Sequence, residues 1–582
     1  MAWSTSIEHK QNAGGTAVMN SSTLVLPDTA IETRSTPRHF RLRACCWAVA
    51  LALGGAQSWA TRFTMNPDGI SYLDIGDAYW RHDWHNAINA YWSPLYSWIV
   101  GFFVNVLKPS PYWEYPLVRL VNFSIYVVAL MCFEYFLSIF IADRVHQTAG
   151  RSGLDESSWR LLGYGLFVSS SLILVGTGPV TPDMLVVAFF YLASALLLQV
   201  KGQKAPMAAY AAFGIVLGVA YLAKAVMFPL AFVFLTVAAF YSGCDSRRLR
   251  RLGISALLFF TISAPLITAI SLQKNRLTFG EAASWTYGFY VNDAPYWVGN
   301  SPRLKHPMHL LSTAAPVYEF GDQVGGTFPP WYDPSYWSEG IRLHFTIRGE
   351  FRPLLGAAEE FGIIFFIVFL NVTIGAIVLH AWFAKVPRCE YTWAIAIPAL
   401  ASFLLYALVH IEWRFVGAQA TILFLFVFSG IAFPDRARAR RQGWSMVVAI
   451  VFISGLVVGL VVLNSITSSI GPVYADAAAA LSGIGLRPGD RVGLVWNEQW
   501  FVGATEGGFV PRLLRLKITA EETEADAFWR MPEAEAAKTL DSMRKGGVRT
   551  VLALDVPAAA KPGWQRLGMT RYYAYVFTSN KE

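Results

Sequence analysis

Runs of roughly 20 apolar residues recur along most of the chain, separated by short basic loops, and they leave few choices of fold. A hydrocarbon layer of about 30 Å is crossed by about 20 helical residues, and within it only helices and closed barrels satisfy their own backbone. By length and apolarity the runs fall near 43–60, 116–141, 160–176, 181–200, 206–222, 225–242, 252–272, 359–384, 391–410, 414–433 and 444–466. The fold class expected is therefore a polytopic α-helical membrane protein of about 11 transmembrane helices, with a small C-terminal extracytoplasmic α/β domain. Charged residues make up only 15% of the 582, against roughly a quarter in soluble proteins.

The formal charge of +8 would suit nucleic acid if it were gathered on one face. It is instead spread over short loops, which gives it to orientation and excludes a nucleic-acid partner. With the N-terminus inside, Arg144, Arg151 and Arg160, Lys201 and Lys204, Arg247 to Arg251, Lys385 and Arg388, and Arg436 to Arg441 all fall on the cytoplasmic side. The short outer loops hold only Lys224, with Arg414 at the edge of the next span. An odd number of spans then puts the C-terminus outside. Residues 1–42 read as a disordered cytoplasmic tail, without the apolar core of a cleavable signal, so the first span is expected to be retained as an anchor. The five cysteines show no metal-ligand spacing.

Residues 43–469 form the membrane module, and two of its outer loops are long: 61–115 and 273–358. The apolar stretch from Leu95 to Leu107 is too short to span and should lie along the interface or re-enter. The Pro-rich stretch Gly326–Trp337 reads as a fixed aromatic loop without regular helix or central strand. Residues 470–582 read as the α/β domain, with helices at Tyr474–Ile484 and Pro532–Lys545 and strands at Arg491–Trp496, Val548–Asp555 and Tyr572–Thr578.

The first long loop opens on Asn66-Pro67-Asp68-Gly69-Ile70-Ser71-Tyr72-Leu73-Asp74-Ile75-Gly76-Asp77. Asp68 suits an N-cap for the following helix equally with a base for a hydroxyl or amine in a site shielded from water. Asp74, six residues on, lies about 120° around such a helix, so the two acids can border one cavity without sharing a face. Asp77 and Asp83 read as solvated. Asp183, in Thr181-Pro182-Asp183, is an acid at the mouth of an apolar span, where cost argues for function. Lys224 either snorkels to headgroups or holds a lipid phosphate. Glu412 and Arg414 form either an interfacial ion pair or a phosphate grip whose carboxylate orients the guanidinium.

Together these residues resemble the GT-C superfamily of membrane glycosyltransferases, and most nearly the branch related to protein O-mannosyltransferases and lipid A aminoarabinose transferases. The family's acidic motif, Asp-x-x-x-Tyr-x-[Asp/Glu]-Ile, stands here as Asp68-Gly-Ile-Ser-Tyr72-Leu-Asp74-Ile75. Its outer Pro-Asp is matched by Pro182-Asp183, and its Glu-x-Arg-[Tyr/Phe] by Glu412-Trp-Arg414-Phe415. Two departures, Gly69 in place of Glu and a Trp92-Ser93-Pro94 without the relatives' Lys, leave donor and acceptor preference open.

The resemblance implies inverting transfer of a sugar from a polyprenyl-phosphate donor to a lipid, glycan or protein acceptor, on the outer face of a bacterial inner membrane. Asp68 would be the base with Asp74 in support, and Asp183, Lys224, Glu412 and Arg414 would bind substrate. Trp331, Tyr332 and Asp333 would offer aromatic faces and an acid to a sugar ring. No cofactor is required by the motifs. Some members use a divalent metal ion, for which Asp68, Asp74 and Asp183 are the candidate ligands, although three acids make no recognisable site. The alternative is a transporter or flippase of lipid-linked sugars or small anions, against which stands the lack of an internal repeat.

Overall fold

The computed structural model describes residues 37–147, 154–202, 205–243, 245–294, 309–312, 317–320, 325–337, 341–383, 392–431, 437–496, 506–522, 524–557 and 563–577. Most of the tail expected at 1–42 lies outside the described residues. The first helices are α1 (Pro37–Ala60), α2 (Pro67–Trp80), the single turn α3 (Trp84–Ala87), α4 (Pro94–Leu107) and α5 (Pro111–Gln147). The bundle continues through α6 (Glu156–Ser169), α7 (Asp183–Lys201), α8 (Met207–Ala223), α9 (Met227–Ser242) and α10 (Ser246–Lys274). After the second long loop, with α11 (Ala282–Tyr290), α12 (Pro329–Tyr332) and α13 (Pro334–Trp337), come α14 (Ile347–Ile363), α15 (Leu370–Trp382), α16 (Trp393–Ala407), α17 (Gly417–Ser429) and α18 (Ala437–Thr467).

Each of the apolar runs falls on a helix, and the chain is a multi-pass helical membrane protein. Among the described residues five helices are long and apolar enough to cross a bilayer: α5, α6 with its π-helical continuation Ser170–Val175, α7, α10 and α18. The stretch from α14 to α15 would make a sixth and is bent by 78°. Helices α8, α9, α16 and α17 are apolar and shorter. The bundle is close-packed: at Gly214 of α8 a Cβ would come within 2.2 Å of the Ser255 carbonyl of α10.

The first long loop folds into α2, α3 and α4. Pro67 fits the first turn of α2, where an amide hydrogen has no helical acceptor to lose. Glycine lets α4 lie directly on α2, since a Cβ at Gly76 would sit 2.8 Å from the Gly101 Cα. Helix α4 buries Tyr96, Ser97, Val100 and Val104 and exposes Trp98, Phe102, Phe103 and Leu107. One apolar face is packed on protein and the other is uncovered.

The C-terminal part begins with α19 (Val473–Gly483) and carries strands β3 (Arg491–Val495), β4 (Lys517–Glu522), β5 (Thr550–Leu554), β6 (Trp564–Arg566) and β7 (Tyr572–Val576). Two further strands, β1 (His309–Ser312) and β2 (Val317–Glu319), come from the second long loop, and the sheet order is β1-β2-β4-β3-β5-β7-β6. The central β4, β3 and β5 are parallel, and β2 pairs antiparallel to β4 with Val317 opposite Glu522. The C-terminal domain therefore draws on 273–358 as well as on 470–582. The Pro-rich loop is also more regular than expected: α12 and α13 are single helical turns, each opened by a proline.

Candidate functional site

Helix α2 presents its acids in two groups. Its N-cap is Asn66, not Asp68. Asn66 has extended backbone (φ −134°, ψ 159°), and its Oδ1 accepts from the Val180 amide at 2.7 Å, tying α2 to the turn before α7. Asp68 is freed from capping. Gly69 beside it has no room for a side chain, because a Cβ would meet Val180 and the Met65 sulfur at 2.7 Å. The departure from the family motif at this position therefore has a packing reason.

The Asp68 carboxylate faces Arg414, whose two terminal nitrogens both donate to Oδ2 at 3.1 Å. The same guanidinium lies 3.6 Å from Asp183 Oδ2, and its Nε donates to Glu412 Oε2 at 2.6 Å. Asp183 Oδ1 in turn accepts from Lys224 Nζ at 2.7 Å. Lys224 is thus paired, not snorkelling, and its ammonium sits 3.5 Å from the centre of the Phe415 ring, a cation–π contact. His410 Nε2 lies 3.6 Å from Glu412 Oε1, and its ring stacks on Tyr290 at 4.1 Å. Five of the residues singled out from sequence, spread over 346 positions, form this one network of three carboxylates and two cations.

The network is sheltered but open: 16% of the Asp68 side chain is exposed, 20% of Arg414, 23% of Lys224 and 38% of Glu412. Burial pushes the Asp68 carboxyl above the usual carboxylate range, against the pull of Arg414. Burial acts on Glu412 in the same sense, but a hydrogen bond from His410 and the charge of Arg414 outweigh it and hold Glu412 at about 2. A raised acid beside a fixed guanidinium can accept a proton, and the guanidinium can bind an anion.

The second group is different. Asp74 accepts from the Thr327 amide at 2.7 Å and from its hydroxyl at 3.2 Å, and it lies 3.3 Å from Arg512 Nη1. It supports the Thr327 loop and the C-terminal domain, not the Asp68 carboxylate. Asp77, expected to be solvated, is buried: Arg512 Nη1 donates to it at 2.7 Å and Asn105 Nδ2 at 2.8 Å. Burial alone would raise Asp77, but Arg512 and Arg515 overcome that and hold it below its usual value. Asp83 accepts from Asn86 Nδ2 at 2.8 Å and from the Asn86 amide, capping α3.

Trp331, Tyr332 and Asp333 are only 8%, 3% and 7% exposed, so the expectation of open aromatic faces is corrected. The Trp331 carbonyl accepts from Ser71 Oγ at 2.8 Å, and the Tyr332 carbonyl from Asn89 Nδ2 at 2.8 Å. Asp333 caps α13, accepting from Ser335 Oγ and the Tyr336 amide. The loop is a wedge seated on α2. The rings of Tyr91, Trp92 and Trp285 pack around Trp331 at 6.4, 5.8 and 6.2 Å.

A metal ion does not fit these residues. Asp68 and Asp183 share the Arg414 guanidinium, Asp74 is held elsewhere, and no group of three His, Cys, Asp or Glu side chains among the described residues is placed to hold one. Sequence reasoning missed Arg512 and Glu114. The available signal was a pair of arginines three apart, Arg512 and Arg515, beside the apolar stretch Phe509-Val510-Pro511.

Neither a protein-family model nor a curated protein matches the sequence. Solved structures do. ArnT from Cupriavidus metallidurans bound to undecaprenyl phosphate aligns over 94% of this chain and 99% of its own, at 13% identity and a TM-score of 0.54. The same protein in the apo state aligns over 91% and 98%, at 13% identity and a TM-score of 0.51. An oligosaccharyltransferase from Archaeoglobus fulgidus, tethered to an acceptor peptide, aligns over 89% of this chain and 69% of its own at 11% identity, with a TM-score of 0.49.

Proposed function

We propose that this chain, which has the fold of the GT-C glycosyltransferases, transfers a sugar from a polyprenyl-phosphate donor to a lipid, glycan or protein acceptor at the outer membrane face. The observation that carries the reading is the sharing of one guanidinium, Arg414, between Asp68 and a second acid–base pair, Asp183 and Lys224. That ArnT is seen with undecaprenyl phosphate supports a carrier lipid of this class.

Asp68 takes the proton of the acceptor hydroxyl or amine as that atom attacks the anomeric carbon. The bond from that carbon to the phosphate oxygen breaks on the opposite side, and a single displacement of this kind inverts the centre. The electron pair leaves on the carrier phosphate, whose charge Arg414 and Lys224 stabilise. The donor phosphate competes with Asp68 for Arg414. Its arrival loosens the ion pair that restrains Asp68 and leaves that carboxylate a better base.

The test is transfer of labelled sugar from polyprenyl-phosphate donors by the purified protein, beside the Asp68→Asn variant. The variant should fold normally and lose about 10³-fold in kcat, within the usual range for a general base. Full activity in the variant overturns the assignment of Asp68. A wild type that transfers nothing but moves lipid-linked sugar or anions across vesicles overturns the transferase reading in favour of a transporter.

A further inference from the structure

Three positions of α2 beyond Asp68 are held by parts of the outer domain or by the loop that docks on it. Ser71 donates to the Trp331 carbonyl, and Asp74 accepts twice from Thr327. Asp77 and Asp74 share Arg512, which stands on the short helix Phe509–Leu513 of the outer domain. Thr327 is itself fixed by that domain, since its carbonyl accepts from the Ile518 amide of β4 at 2.9 Å.

Arg512 is fully buried, and its Nη2 reaches Glu114 at the start of α5 at 3.3 Å. Arg515 adds a second cation, 2.5 Å from Glu114 and 3.6 Å from Asp77. The Tyr115 hydroxyl donates to the Phe509 carbonyl at 2.5 Å. Three carboxylates thus surround two guanidiniums where α2, α5 and the outer domain meet. Removing Arg512 would leave the three with a single cation and set Asp74, Asp77 and Glu114 against one another.

The geometry of a helix turns this into a statement about Asp68. Asp74 and Asp77, three residues apart, lie about 60° apart on one side of α2, and Asp68 is on the same rigid element about 14 Å from Asp77 along the axis. A carboxylate about 6 Å from a helix axis moves by about 2 Å when the helix turns by about 20°. That displacement is enough to break the two bonds that Arg414 makes to Asp68 Oδ2 at 3.1 Å.

We infer that Arg512 is a positioning residue for Asp68: inserted from the outer domain, it sets the rotation and seat of α2 that bring the base to Arg414. The inference rests on the reading of Asp68 as the base. The outer domain then belongs to the catalytic unit without touching substrate.

The experiment compares full-length wild type with Arg512→Met and Arg512→Lys by donor titration at saturating acceptor, with amide exchange over 67–80 as a second readout. The methionine variant should lose about 10²-fold in kcat, the usual consequence of misplacing a reacting group by an ångström or so, with donor KM within about threefold. The lysine variant should fall between the two. Protection in α2 should drop while that in α7 holds. Wild-type kcat in the folded fraction of the methionine variant, or unchanged α2 protection, overturns the inference, because a merely structural arginine would lower only the yield of folded protein. Should the methionine variant fail to fold, the lysine variant decides by the same split. If wild type transfers no sugar, the proposed function fails by itself, and unchanged α2 protection would still sink the grip of the outer domain on this helix.

Discussion

The two ends of α2 hold clusters of the same chemistry, carboxylates around guanidinium, in opposite settings. At the N-terminal end Arg414 and Glu412 keep 20% and 38% of their side chains exposed. At the C-terminal end Arg512 and Glu114 keep none and Asp77 keeps 6%, with Arg515 on the rim at 34%. An ion cluster that water and ligand can reach exchanges partners at little cost. One centred on a fully buried guanidinium and carboxylate, as Arg512 and Glu114 are, cannot, because each charge it releases would be left buried and unpaired. The open cluster therefore suits a site and the closed one a joint, although neither the residue types nor their spacing distinguish them.

The comparison can be broken through donor KM, the quantity in which the two clusters should part. The largest effect belongs to Arg414→Lys. It keeps the charge but loses the planar fork, and kcat/KM for the donor should fall about 10²-fold with a raised donor KM. Initial rates over a donor titration check this, and a donor KM unmoved by the change would erase the distinction. Next is Asp77→Asn, which leaves Arg512 on Asp74 and Glu114. It should cost about 2 kcal/mol of stability in a thermal melt, the scale of one charge-assisted hydrogen bond, and leave donor KM alone.

The same joint has a pH signature. The Asp77 pKa is depressed in the folded protein, so its contribution is present above the unfolded value of about 3.9 and is lost as pH falls through the folded one. Wild type should lose stability over that acid window, and Asp77→Asn should lose less. The smallest effect is that of Ser71→Ala, which removes one neutral hydrogen bond to the wedge and should cost about 1 kcal/mol by the same melt.

What could be read in the sequence was what is local. An apolar run long enough to cross a bilayer carries its own signal, and so does an acid at the mouth of such a run, as Asp183 shows. The sidedness of the basic loops put Asp68, Asp183, Lys224, Glu412 and Arg414 on one side, and in the structure they meet. Asp77 was misread because its partner is 435 residues away, in a domain whose docking no local pattern encodes. Trp331 and Tyr332 were misread for a related reason. An aromatic, proline-rich loop has the same composition whether it faces a ligand or plugs a gap, and burial decides between the two. Strand β4 escaped notice because Lys517-Ile-Thr-Ala-Glu-Glu522 ends on two acids, both buried in the folded sheet.

The pairing of β2 with β4 has a consequence for biogenesis. Some two hundred residues separate these strands in the chain, so the hairpin from the second long loop must wait, its edge unpaired, until β4 has been made. Excising 470–582 would reverse the problem and leave β4 with a bare edge, a template for pairing between molecules. The C-terminal domain is a structure that the loop between α10 and α14 helps to build, through the pairing of β2 with β4.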